Sequence, residues 1–197
     1  CSPINDFMTW LGTLINEATK LSPFLMGVVV SVLVGCALTL PISSVAICVM
    51  LGLDGLAAGA ATVGCCAQMI GFAVISYKDN GIGGFISQGV GTSMLQIGNI
   101  VRKPIIWLAP TLTAAILGPV STVVFKMTNS SLGAGMGTSG LVGPLATFAS
   151  MTEAGAAPGL LVTKIAILHF VAPALIALAI HFLMKKAGLI KKGDMKL

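Results

Sequence analysis

The chain has 197 residues, 56% of them hydrophobic and only 9% charged, and its mean hydropathy is +1.01. Soluble domains carry about 25% charged residues, so a disordered chain, a nucleic-acid binder and a small disulfide-stapled module are all excluded. The net charge of +5 comes from eleven Lys and Arg, five of them in the last thirteen residues, which makes a cationic tail on an apolar body. The composition is that of an integral membrane protein.

The chain opens on Cys1 rather than Met, as a processed or truncated product would, and no signal peptide is expected. Residues 5–20 read as an amphipathic helix, with Phe7, Trp10, Leu11, Leu14 and Ile15 on one face and Asp6, Asn16, Glu17 and Lys20 on the rest. Trp10 suits an interfacial placement, and an ordinary extramembrane helix is the other reading. Residues 21–53 contain no charged side chain, too long a run for one crossing of about 20 residues. Pro41 divides it into a membrane helix over 22–40 and a short apolar piece over 42–53.

Asp54-Gly55 marks a turn, and a second apolar run follows over 56–77. Its many small residues, among them Ala57, Gly59, Ala61, Gly64 and Gly71, let helix backbones approach closely in a bundle. Residues 81–103 are too rich in glycine and polar groups for a plain spanning helix, and Arg102-Lys103-Pro104 mark a membrane boundary. Residues 105–125 form another membrane-length run, bent by Pro110 and Pro119. A second broken segment covers 128–158, and a last helix runs over 160–184 with Lys164, His169, Pro173 and His181 embedded in it. The expected domains are an interfacial helix (1–20), a transmembrane domain (21–184) and a cationic tail (185–197). By the positive-inside rule the tail is cytoplasmic.

The two broken segments share a motif. Gly89-Val90-Gly91-Thr92-Ser93-Met94-Leu95 and Gly135-Met136-Gly137-Thr138-Ser139-Gly140-Leu141 both read G-x-G-T-S-x-L. Glycines open backbone angles closed to other residues, and Thr-Ser suits a helix start. Two re-entrant hairpins would point free N–H groups inward. Irregular backbone at membrane depth is tolerated where it is buried or lines a cavity, and a pair of such segments points to a binding site. Extramembrane loops are the plainer alternative. No strand precedes either motif and neither has a P-loop Lys, so neither is a nucleotide loop.

Glu153 is the sole acidic residue between Asp79 and Asp194. A carboxylate in an apolar region is a functional candidate, able to accept from hydroxyls or carry a proton; a surface Glu paired with Lys164 is the other reading. The candidate substrate-binding set is Glu153, Thr92, Ser93, Gln96, Asn99, Thr138, Ser139 and His169. Gln68 and Gln88 are further amides at depth, and helix–helix hydrogen bonding is the favoured reading of Gln68. The five cysteines, Cys1, Cys36, Cys48, Cys65 and Cys66, read as buried packing thiols. No catalytic constellation, metal cluster or cofactor motif is present, which argues against an enzyme.

The two GTS runs, together with Met151-Thr152-Glu153-Ala154-Gly155, resemble the EIIC-like membrane proteins of the phosphotransferase system. The branch most similar is the perfringolysin O regulator (PfoR) type, which the tail Gly193-Asp194-Met195-Lys196-Leu197 also resembles. Members of that branch are longer at the N-terminus, so the chain reads as the C-terminal part of such a fold. The resemblance implies an all-α polytopic bundle, a permease of the bacterial plasma membrane, a homodimer, and a sugar or similar small polar solute. Any phosphorylation coupling would need separate EIIA and EIIB partners. Sugar-transporting members carry a Gly-Ile-Thr-Glu-Pro motif whose Glu contacts the sugar; here Met151 and Ala154 replace its Ile and Pro. The readings weighed are a transporter working by alternating access, a membrane-embedded ligand sensor or regulator, and a passive channel. Broken helices without a ring of like charges fit the channel poorly.

Overall fold

The computed structural model describes Trp10, residues 22–191 and residues 193–197. Trp10 apart, the amphipathic helix expected over 5–20 lies outside the described residues, as does Cys1. No strand occurs among the described residues, whose one β-like contact is an isolated bridge between Gly55 and Asn129.

Helix α1 (Pro23–Thr39) starts with proline in its first turn, where a missing N–H costs nothing, and stops before Pro41. The short α2 (Ser44–Met50) is capped by Ser43, whose hydroxyl accepts from the Ala46 N–H at 3.2 Å. Helix α3 (Gly55–Ile75) is apolar on every side and 94% buried over its membrane-length window. It is the axis of the molecule, with α1, α6 and α10 packed around it.

Beyond α3 comes the first broken segment. Helix α4 (Tyr77–Ile86) is interrupted at Gly81, which has φ 63° and ψ −159°. A π turn (Ser87–Gly91), a 3-10 turn (Ser93–Gln96) and α5 (Ile97–Arg102) complete it. A 3-10 turn (Pro104–Trp107), α6 (Leu108–Pro119) and a second π turn (Val120–Phe125) then form one 22-residue apolar span. The second broken segment holds α7 (Ser131–Ala134), a 3-10 turn (Ser139–Leu141) and α8 (Val142–Glu153). The last span, Pro158–Lys186, has 29 residues and comprises α9 (Pro158–Ile165), a third π turn (Ala166–Val171) and α10 (Ala172–Lys186). Among the described residues, three helices are therefore long and apolar enough to cross a membrane: Gly55–Ile75, Pro104–Phe125 and Pro158–Lys186. Only 22% of an 18-residue apolar window of the last is buried, and that helix presents Leu160, Leu175, Phe182 and Leu183 outward.

Missing side chains hold the bundle tight. A Cβ on Gly64 would stand 2.0 Å from the Ser31 carbonyl oxygen, and one on Gly118 would stand 2.1 Å from that of Gly27. On Gly59 it would meet the Met127 carbonyl oxygen at 2.0 Å. These backbones touch, so dispersion and the Ser31 hydroxyl bond to the Ala114 carbonyl (2.8 Å) do what large side chains do in a soluble core.

The tail folds back onto the bundle. Gly188 (φ 74°) and Gly193 (φ 91°) turn it, and Ile190 and Met195 are buried with Phe72, Ile75, Ile100 and Ile106.

Candidate functional site

In the first motif Thr92 has extended backbone angles, and its hydroxyl accepts from the Met94 N–H at 3.1 Å, starting the 3-10 turn. That start turns Ser93 inward. Its Oγ lies 3.0 Å from the Oγ1 of Thr39, at the last turn of α1, and both side chains are fully buried.

Thr39 in turn donates to Gln68 Oε1 at 3.4 Å. With the Thr39 proton committed there, Ser93 must be the donor to Thr39. The Gln68 amide, in the middle of α3, also accepts from Trp107 Nε1 (3.1 Å) and donates to Thr111 Oγ1 (3.2 Å) and Cys36 Sγ (3.9 Å). Two acceptances and two donations exhaust an amide side chain. Gln68 is thus a joint between α1, α3 and α6, in keeping with its helix–helix reading. Ser93, whose oxygen keeps free lone pairs, is the member of the chain able to accept from something else.

The second motif sits on the same central helix. Gly137 has φ 54°, and a Cβ there would lie 2.8 Å from the Cys65 backbone. Gly140 and Leu141 are also left-handed, at φ 52° and 60°. This tight path swings the buried Thr138 hydroxyl onto the Gly89 carbonyl of the first motif, 2.6 Å away. The two motifs are therefore bonded to each other against α3. Ser139 is half-buried, and its N–H donates to the Met136 carbonyl.

Gln96 and Asn99 have a different neighbourhood. Gln96 Nε2 donates to Gln88 Oε1 (2.9 Å) and to the Met195 carbonyl (3.0 Å), and Gln88 Nε2 donates to Ser76 Oγ (2.8 Å). Asn99 Nδ2 donates to Gln96 Oε1 (2.8 Å) and to the Lys196 carbonyl (3.0 Å). Asn80 clasps the same strand of tail, donating to the Met195 carbonyl at 2.7 Å and accepting from the Leu197 N–H at 2.8 Å. Lys103 pairs with Asp194, whose carboxyl also accepts from the Lys191 N–H at 2.6 Å. The Lys103 hydrogen bond and then the Lys191 N–H hold the Asp194 pKa below its ordinary 3.8. These amides thus fasten the C-terminal tail.

Glu153 ends α8 and is exposed, and no ion pair joins it to Lys164 among the described residues. His169 lies in the third π turn, fully buried, with neither ring nitrogen hydrogen-bonded among the described residues. A buried imidazole with both nitrogens unpaired is costly. π turns often sit at functional positions, and all three pack on α3. Cys48, Cys65 and Cys66 are buried, Cys36 is half-buried, and all four are free thiols. No metal-ligand cluster occurs among the described residues.

Sequence reasoning missed Thr39, Thr111 and Trp107. Each looks like an ordinary helix residue, and only the crossing of α1, α3 and α6 brings them to Gln68. Glu153 and His169 were visible as isolated polar groups in apolar surroundings.

A family model described as Phosphotransferase system, EIIC, matches residues 1–197. No curated protein and no solved structure matches the chain.

Proposed function

Because the chain belongs to the phosphotransferase system EIIC family, a family of membrane permease components in sugar transport, we propose that it binds and translocates a sugar or similar small polar solute by alternating access. The observation that carries this reading is the bond between the two GTS segments, Thr138 to Gly89, beside a buried chain of hydroxyls and amides. Paired broken segments at membrane depth are where transporters hold their solutes, and we read the pair as re-entrant hairpins.

In this reading Thr92, Ser93, Thr138 and Ser139 line the solute's path. Ser93 oxygen accepts from a solute hydroxyl, and His169 supplies one donor and one acceptor that nothing among the described residues uses. Glu153, in the segment similar to the Gly-Ile-Thr-Glu-Pro motif, engages the solute in a state that closes α8 over the hairpins. Gln96 and Asn99 join the site when the tail releases them. The exposed apolar face of 158–186 rests against lipid or a second copy in a homodimer, and the tail faces the cytoplasm of a bacterial cell. EIIA and EIIB partners, which the family works with, supply any phosphoryl coupling.

The test is thermal stability of the purified chain in detergent against a panel of sugars and polyols. A solute at about 100 times its dissociation constant stabilises by roughly 2.7 kcal/mol. We expect one class of solute to do so, the effect to vanish in Glu153→Gln and in His169→Phe, and that solute to enter proteoliposomes carrying the protein. Binding without uptake would favour a sensor, and no stabilisation by any member of the panel would overturn the site.

A further inference from the structure

The C-terminal ends of α3 and α10 meet beside the folded-back tail, and a cavity of about 590 Å³ opens between them. Lys78, Lys185 and Lys191 stand around it with a single carboxylate, Asp79, whose Oδ1 already accepts from the Gly193 N–H at 3.1 Å. None of the three lysine side chains forms an ion pair or a hydrogen bond among the described residues, while the Lys191 N–H donates to Asp194. His181 lines the same wall, and its Nδ1 is buried without a partner. With Asp79 in the wall and Asp194 near Lys191 but paired to Lys103, the three cations still outnumber the carboxylates and repel one another unless a further anion sits between them.

A second cavity of about 250 Å³ continues from the first, sharing Ile75, Lys78, His181 and Lys185. It runs along the outer face of α10 over Leu178 and Phe182, the latter 66% exposed. Both ends of this run are set by membrane-spanning helices, since Ile75 closes one span and Lys186 the other. The polar end therefore lies at the membrane boundary and the apolar end along the hydrocarbon. Basic pockets of this kind between spanning helices bind anionic headgroups.

We propose that this composite groove is a binding site for an anionic phospholipid. Lys78, Lys185 and Lys191 take the phosphate, His181 Nδ1 makes a hydrogen bond to the headgroup, and one acyl chain lies over Leu178 and Phe182. Because Ile190, Lys191 and Met195 belong to the cavity wall, a bound lipid also clamps the tail. The proposal is independent of what the protein transports.

The test compares lipid affinity of the full chain in detergent, by native mass spectrometry, for phosphatidylglycerol and phosphatidylcholine. Phosphatidylglycerol should bind at least tenfold more tightly. That preference should be lost in the double variant Lys78→Gln/Lys191→Gln, and kept in Lys126→Gln, which removes an exposed cation near the opposite end of α3. Lys185→Gln carries the same test should the double variant not fold. Equal affinity for the two lipids, or an unchanged preference in the variants, overturns the proposal. Displacement of phosphatidylglycerol by millimolar inorganic phosphate, with the same lysine dependence, would overturn the lipid in favour of a soluble phosphate.

Discussion

The two copies of G-x-G-T-S-x-L share their letters and divide their labour differently. In the first, Thr92 starts a turn and Ser93 makes the buried bond, to Thr39. In the second, Thr138 makes the buried bond, to Gly89, and Ser139 stays half-buried. Their glycines differ as well. A Cβ on Gly91 would meet open space, and one on Gly89 would make ordinary side-chain contacts with Ala73 at 3.4 Å and Ile70 at 3.7 Å. On Gly135 it would press on the backbone of Val45 at 2.6 Å, and Gly137 is both left-handed and in contact with Cys65. The first copy is a loosely held turn with a polar task, and the second is a wedge. A repeated motif thus shows where the chain breaks, while the neighbouring backbone decides which of its atoms matter.

The widest gap between the copies lies in those glycines. Gly137→Ala should cost about 3 kcal/mol or more, combining overpacking with a left-handed alanine, whereas Gly91→Ala should stay within about 0.5 kcal/mol. Unfolding of both variants in detergent by denaturant titration reads the difference, and similar losses would mean that the copies are equivalent after all.

The hydroxyls should follow. Thr138→Val leaves the buried Gly89 carbonyl without its partner and should cost about 1–3 kcal/mol, against almost nothing for Ser139→Ala. In the first copy the two residues should weigh about equally. Ser93→Ala removes the donor to Thr39 and should cost about 1 kcal/mol, and Thr92→Ala should lose a similar amount through the cap. A stable Thr138→Val would show that the two broken segments do not depend on each other.

The smallest effect concerns pH and touches the first copy alone, because Gln96, Asn99 and Lys103 downstream of it hold the tail. The folded-state pKa of Asp194 is depressed, so its contribution is complete above the ordinary value of 3.8 and is lost as pH falls through the lower, folded value. Tail amides at 193–197 should therefore gain hydrogen exchange only in strongly acid solution, and Asp194→Asn should show the same gain at neutral pH. Exchange around Gly137 should not change in either case.

Much of the scaffold was legible residue by residue. Pro41, Asp54-Gly55 and Lys103-Pro104 bound the helices to within a few residues of where they lie, since proline, turn glycine and charge act locally. The close-packed face of α3 was visible in its small residues, though which glycines are indispensable was not, because that depends on the backbone opposite. The tail was the least legible part. Its five cations read as a cationic tail on an apolar body, yet Ile190 and Met195 are buried and its backbone is hydrogen-bonded to Asn80, Gln96 and Asn99.

The sequence alone determined that this is a helical membrane protein with two broken segments, because hydropathy and chain-breaking residues act over one or two turns. Tertiary structure alone decided that Ser93 and Thr138 carry the buried bonds, that Gln68 is saturated, that His169 is not paired, and that Gln96 and Asn99 fasten the tail. A hydroxyl or amide has several possible partners along a chain, and only the packing of distant segments at van der Waals distance selects among them.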